Sequence, residues 1–130
     1  MEDKKEILLS YLKINVVPVL VDFIFGCDFD KAVVLPANTM VNELNGHYDN
    51  MEYVPPKWFN DLLSINGNKL LVIDKIDTIS KEEQKKFIEI LKYKKISTFD
   101  LPSECRIIVT ANEIDKDKID EEILSLVARI

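Results

Sequence analysis

The chain has 130 residues, 47% hydrophobic and 31% charged, with three glycines and five prolines. A chain of this length forms one domain able to bury roughly two-thirds of its unfolded surface, and its composition excludes a disordered, collagen-like or low-complexity protein. Acids outnumber bases by 23 to 17, and the net charge of −6 sits mainly in the first half, which excludes a domain-wide basic footprint for nucleic acid.

Ile7, Leu8, Tyr11 and Leu12 form one apolar stripe and predict a helix over residues 3–13. Val16 to Phe25 is β-branched and aromatic and reads as a buried strand. Pro18 lacks an N–H, so the ladder is expected to begin at Val19; a helix begun near Pro18 is the competing reading. Ala32 to Leu35 is a second short strand, and Pro36 to Asn50 is polar and read as irregular. Pro56 suits the first position of a helix over 56–65, with Trp58, Phe59, Leu62 and Leu63 on its apolar face and Gly67 free to take the left-handed cap. Lys69 to Asp74 holds the continuous apolar run of a strand buried on both faces. Ser80 and Glu83 form a capping box for a helix reaching Lys95, with Phe87, Ile88 and Leu91 facing inward. Ile96 to Phe99 is extended, Arg106 to Thr110 is a second two-sided strand, Ile119 to Leu126 a short helix, and Val127 to Ile130 a final strand. Helices alternating with apolar strands predict an α/β fold with a three-layer, mainly parallel sheet over residues 1–130.

The two cysteines, Cys27 and Cys105, lie far apart and read as small core residues of a reducing compartment. With His47 as the single histidine, a four-ligand zinc site is excluded. The longest apolar run, Val16 to Cys27, is interrupted by Pro18, Asp22 and Gly26 and is too short to span a bilayer. The mixed charge of residues 1–6 is unlike a signal peptide, so a cytoplasmic protein with no membrane partner is expected.

Leu70-Leu71-Val72-Ile73-Asp74 has the form of a Walker B strand, in which the terminal carboxylate holds magnesium at the carboxyl end of a sheet. A buried strand ending in a turn acid has the same form. Its neighbours narrow the choice: Asn50 to Trp58 before it, the capped helix from Ser80 after it, Leu101-Pro102, then Arg106 to Asn112, then Ile119 to Ser125. This order and spacing resembles the MoxR-type AAA+ ATPases over residues 36–130. The resemblance implies a P-loop NTPase core with Asp74 as the Walker B carboxylate and Asn112 as the sensor-1 residue.

The departures from that family are large. No Gly-Lys-Ser/Thr loop exists, and only Asp22 to Lys31 separates the first two strands, so the phosphate loop and most of its helix are missing. Asp22, Asp28 and Asp30 would repel a triphosphate. Lys75 stands where the family has its catalytic glutamate, and an ammonium has no lone pair to accept a proton. Leu126 stands where the family has an arginine, with Arg129 three residues late. The resemblance implies a helical lid after the core, and the expectation over residues 1–130 is a core without it. Asp74 and Asn112 are then read as structural remnants, with no catalytic residue, cofactor or metal.

Elsewhere, the six lysines between Lys81 and Lys95 read as a solvated helix face, with a phosphate-contacting patch as the alternative. His47 reads as a surface histidine, and Trp58 and Phe59 as core. The expectation is a pseudo-ATPase acting as a protein-binding or assembly module, paired with itself or with an AAA+ relative. The alternative is a residual nucleotide-binding ATPase domain completed by another subunit. Loss of a helix and lid should uncover apolar surface, so a homodimer is expected with Val19 to Phe25 near its seam.

Overall fold

The computed structural model describes residues 17–22, 32–67, 69–97, 99–102 and 105–129. The predicted helix over 3–13, and Phe23 to Lys31 with Cys27, Asp28 and Asp30, lie outside the described residues.

Among these residues the centre is a five-stranded parallel sheet of order β2-β5-β8-β1-β9. Its strands are β1 (Val19–Val21), β2 (Ala32–Pro36), β5 (Lys69–Asp74), β8 (Cys105–Thr110) and β9 (Ala128–Arg129). The two continuous apolar runs, β5 and β8, are adjacent and central, with Leu71 beside Ile107 and Ile73 beside Val109. Their side chains alternate between two faces, and both faces are buried at the middle: Leu71, Ile73, Ile107 and Val109 on one, Val72 and Ile108 on the other. The strand predicted from Val16 starts at Val19, as the missing N–H of Pro18 requires.

The described helices pack on the face of Leu35, Leu71, Ile73, Ile107 and Val109. Helix α1 (Val41–Asn45) brings Leu44, α2 (Lys57–Leu63) brings Trp58, Phe59 and Leu62, α4 (Ile88–Tyr93) brings Ile90 and Leu91, and α5 (Glu121–Leu126) brings Ile123. Short helix α3 (Lys81–Gln84) begins with the expected box, the Glu83 N–H donating to Ser80 Oγ at 3.2 Å. The helix is not continuous to Lys95. It tightens to a 3₁₀ turn over Lys85–Phe87, directly after buried Gln84, whose amide donates to the Ile79 and Lys118 carbonyls and accepts from the Asp120 N–H.

Three other readings are corrected. Pro36 to Asn50 is not irregular: it holds α1 and the first strand of a hairpin, β3 (His47–Asp49) with β4 (Glu52–Val54). The hairpin turn has positive φ at both Asn50 and Met51, the geometry that matches strand twist, and Met51 carried no sequence signal for it. Pro56 is the N-cap of α2 rather than its first residue, and the helix ends at Leu63 with Ser64 as its C-cap, so Gly67 does not cap it. Val19 to Phe25 is the stretch expected near a dimer seam; within it Val19 to Val21 have no exposed surface, Leu20 being packed in the core, and Phe23 to Phe25 lie outside the described residues. A second hairpin, β6 (Lys95–Ile96) and β7 (Phe99–Asp100), places Phe99 against Tyr53 and Phe59, centroids 5.5 and 5.8 Å apart.

Candidate functional site at the carboxyl edge of the sheet

In open parallel sheets, ligands gather at the carboxyl ends of the strands. Here that edge is defined by Val21, Pro36, Asp74 and Thr110. Asp74 ends β5 half-buried, and its neighbour across the ladder, Thr110, ends β8. The Thr110 hydroxyl donates to Asp74 Oδ1 at 2.8 Å and accepts from the Lys75 backbone N–H at 2.8 Å. One hydroxyl thus fixes both the carboxylate and the start of the next turn. Asp74 does not cap that turn itself; Thr110 relays the contact.

Lys75 is exposed and left-handed, with φ 59° and ψ 56°. It opens a 3₁₀ turn over Ile76–Thr78, in which the Thr78 N–H and hydroxyl both donate to the Lys75 carbonyl. The turn aims Asp77 across the sheet edge. Asp77 Oδ1 accepts from the Asn112 N–H at 3.0 Å, and Oδ2 accepts from the Glu113 N–H at 3.1 Å. Asn112 is therefore held by its backbone, as an anchored residue rather than an anchor. The Ala111 N–H donates to the Val21 carbonyl at 2.9 Å, tying the same loop to β1. Sequence reasoning missed Asp77 and Thr110, because each partner lies 35 or 36 positions away and no local pattern announces them.

The other predicted site residues do not converge on Asp74. Asp22 is exposed just beyond β1. Leu126 ends α5 half-buried, and Arg129 is exposed on β9, three strand positions from β5 and thus about 14 Å away by strand spacing. Cys105 is buried, and no group of three His, Cys, Asp or Glu among the described residues could hold a metal.

The lysine-rich stretch is largely engaged. Lys85 lies 3.9 Å from Glu82 and 3.8 Å from Asp120, and Lys95 lies 3.7 Å from Asp100. Lys86 donates to the Thr39 carbonyl and Lys94 to the Cys105 carbonyl, and burial pulls both ammonium groups below the ordinary lysine value. His47 is exposed at the start of β3, and Trp58 and Phe59 are core as expected.

The chain matches no protein-family model, and no curated protein is similar to it in sequence. A solved structure does match: a chain of Hsp104 in its closed state with ATPγS and FITC casein, at a TM-score of 0.61 and 13% identity. The match covers 98% of this chain and 31% of that one, so this chain spans about a third of its length. At that identity the likeness is one of fold: an α/β fold built on a parallel sheet. Asp74 and Thr110 stand at the carboxyl edge of its sheet. No helix among the described residues is long and apolar enough to cross a membrane.

Proposed function

We propose that this chain is a catalytically inactive AAA+ ATPase-like domain, similar to the MoxR type, that serves as a protein-binding or assembly module. The observation that carries this reading is the Asp74–Thr110–Lys75 arrangement. The residue at the Walker B position has one carboxylate oxygen committed to an internal hydrogen bond, and the next residue is a left-handed lysine where the family has a water-orienting glutamate. The donor set around Asp74 does not fit a magnesium–nucleotide group. Magnesium needs near-octahedral oxygen ligands, and one shared carboxylate gives it little. The sequence holds no Gly-Lys-Ser/Thr to cradle phosphates. The module belongs to the cytoplasm in this reading and pairs with itself or with an AAA+ relative, without nucleic acid.

The second reading, a nucleotide-binding domain completed by another subunit, is favoured by the position of Asp74, partly exposed at the carboxyl edge. Thermal melting with and without Mg-ATP separates the two. Ligand at 100 times its Kd adds about 2.7 kcal/mol, so a melting point that does not move supports the inactive module and a clear upward shift supports the second reading.

A further inference from the structure

Strand β2 is an edge strand, and among the described residues nothing pairs with its outer side. Protein edges of this kind are usually guarded by lysines, bulges or a covering segment. The strand Ala32-Val33-Val34-Leu35-Pro36 holds no charged residue, and Val34 is 47% exposed. Its outward polar groups follow from the pairing. The Ala37 N–H donates to the Asp74 carbonyl, so residues 33, 35 and 37 direct their backbone groups toward β5. Residues 32, 34 and 36 direct theirs away. Pro36 therefore sacrifices no ladder bond, and its outward carbonyl is taken by the Thr39 N–H and hydroxyl. The N–H and C=O of Val34 and of Ala32 face outward.

Beside this edge runs a groove of about 480 Å³, lined by Val33 to Pro36 and by Glu43, His47, Lys57 and Asp61, among others. Residues 32–63, which build the edge and its surroundings, carry four carboxylates (Glu43, Asp49, Glu52, Asp61) and one lysine, Lys57, itself 3.0 Å from Asp61. We infer that the open edge of β2 accepts an extended, basic peptide segment as an added strand, hydrogen-bonded to Val34 and Ala32. This rests on the protein-binding reading above and names its surface.

The chemistry of the partner follows from the pleat. Alternate residues of an added strand point to opposite faces. Those on the groove side meet the exposed carboxylate of Glu43 and that of Asp61, the latter shared with Lys57, which suits lysine or arginine. Those on the other side lie next to exposed Val34, which suits a β-branched residue. The segment recognised thus alternates basic and apolar residues. A second copy of this chain pairing through β2 would bring two acidic faces together, which charge disfavours.

The test is a titration of the whole chain with a fluorescein-labelled hexapeptide of alternating valine and lysine, read by anisotropy, with the valine–glutamate peptide as comparison. Saturable binding of the lysine peptide only, with new hydrogen-exchange protection at the Val34 amide, is expected. Val34→Pro removes the outward donor without breaking the β5 ladder and should weaken binding about tenfold. Glu43→Lys leaves the backbone alone and should reverse the preference between the two peptides. Unchanged binding to both variants, protection elsewhere than β2, or no saturable binding overturns the inference. So does concentration-dependent self-association that protects the Val34 amide without peptide, which would make a second copy the occupant. A Mg-ATP thermal shift would overturn the inactive-module reading and leave the peptide result readable by itself.

Discussion

Replacing Thr110 by valine keeps the shape and strand preference of the side chain and deletes one hydroxyl. The loss has two parts. Asp74 Oδ1 loses its 2.8 Å donor, and the Lys75 N–H loses its 2.8 Å acceptor. A hydrogen bond to a charged group contributes about 1.5–3 kcal/mol, and an orphaned amide costs about 1–3 kcal/mol when water cannot reach it. Asp74 is half-buried and Lys75 exposed, so water recovers much of both terms, and we expect a net loss of about 1.5 kcal/mol. With an unfolding entropy of about 2.1 cal/mol/K per residue, 130 residues give about 270 cal/mol/K, so the melting temperature should fall by about 5 °C. Thermal and urea melts at neutral pH measure this. Thr110→Ser, which keeps the hydroxyl, should lie closer to the parent, and Asp74→Ala should couple to Thr110→Val by about 1 kcal/mol in a double-mutant cycle. A valine variant melting within about 1 °C of the parent would refute the claim that Thr110 holds Asp74.

Four further outcomes follow. Asp77→Ala frees the Asn112 and Glu113 amides and should cost about 1–2 kcal/mol in a urea melt, with faster hydrogen exchange at both; protection unchanged at these amides would count against the anchor. Gly46→Ala should lose about 2–3 kcal/mol or fail to fold, because Gly46 holds φ 80° and an added methyl would press on the Val54 carbonyl oxygen; a neutral variant would contradict this. Burial depresses the Lys94 ammonium below 10.5 in the fold, so the unfolded chain binds more protons as pH rises toward that value and the parent should gain stability there; Lys94→Met should lack that rise, and parallel pH profiles would refute it. Lys75→Glu should release no more phosphate from ATP than buffer does, since positioning dominates phosphoryl transfer; turnover that vanishes on Asp74→Ala would reveal a phosphate site.

Much of the sheet is determined by local sequence. The runs Leu70 to Ile73 and Ile107 to Val109 have to be covered on both faces, so they define central parallel strands by their composition alone. Ser80 with Glu83 sets a helix start through a contact within three residues, whereas Gly67, for all its φ of 78°, lies beyond the Ser64 cap of α2 and does not end it. An apolar run ending in Asp74 likewise puts that carboxylate at the carboxyl end of its strand, where it sits.

The tertiary structure alone decided what happens at that edge. Thr110 grips Asp74 and Asp77 grips the loop at Asn112 because parallel pairing of β5 with β8 brings residues about 35 positions apart into register, a pairing that no local preference encodes. The hairpin of β3 and β4 escaped the sequence reading because its turn uses Asn50 and Met51 at positive φ, where Tyr53 packs on Phe99 to hold it. That nothing among the described residues pairs with the outer side of β2 is also a tertiary fact. Ala32 to Leu35 reads as a short strand with no sign of its place, and only the strand order puts it at the edge of the sheet among the described residues, with the backbone groups of Val34 pointing outward.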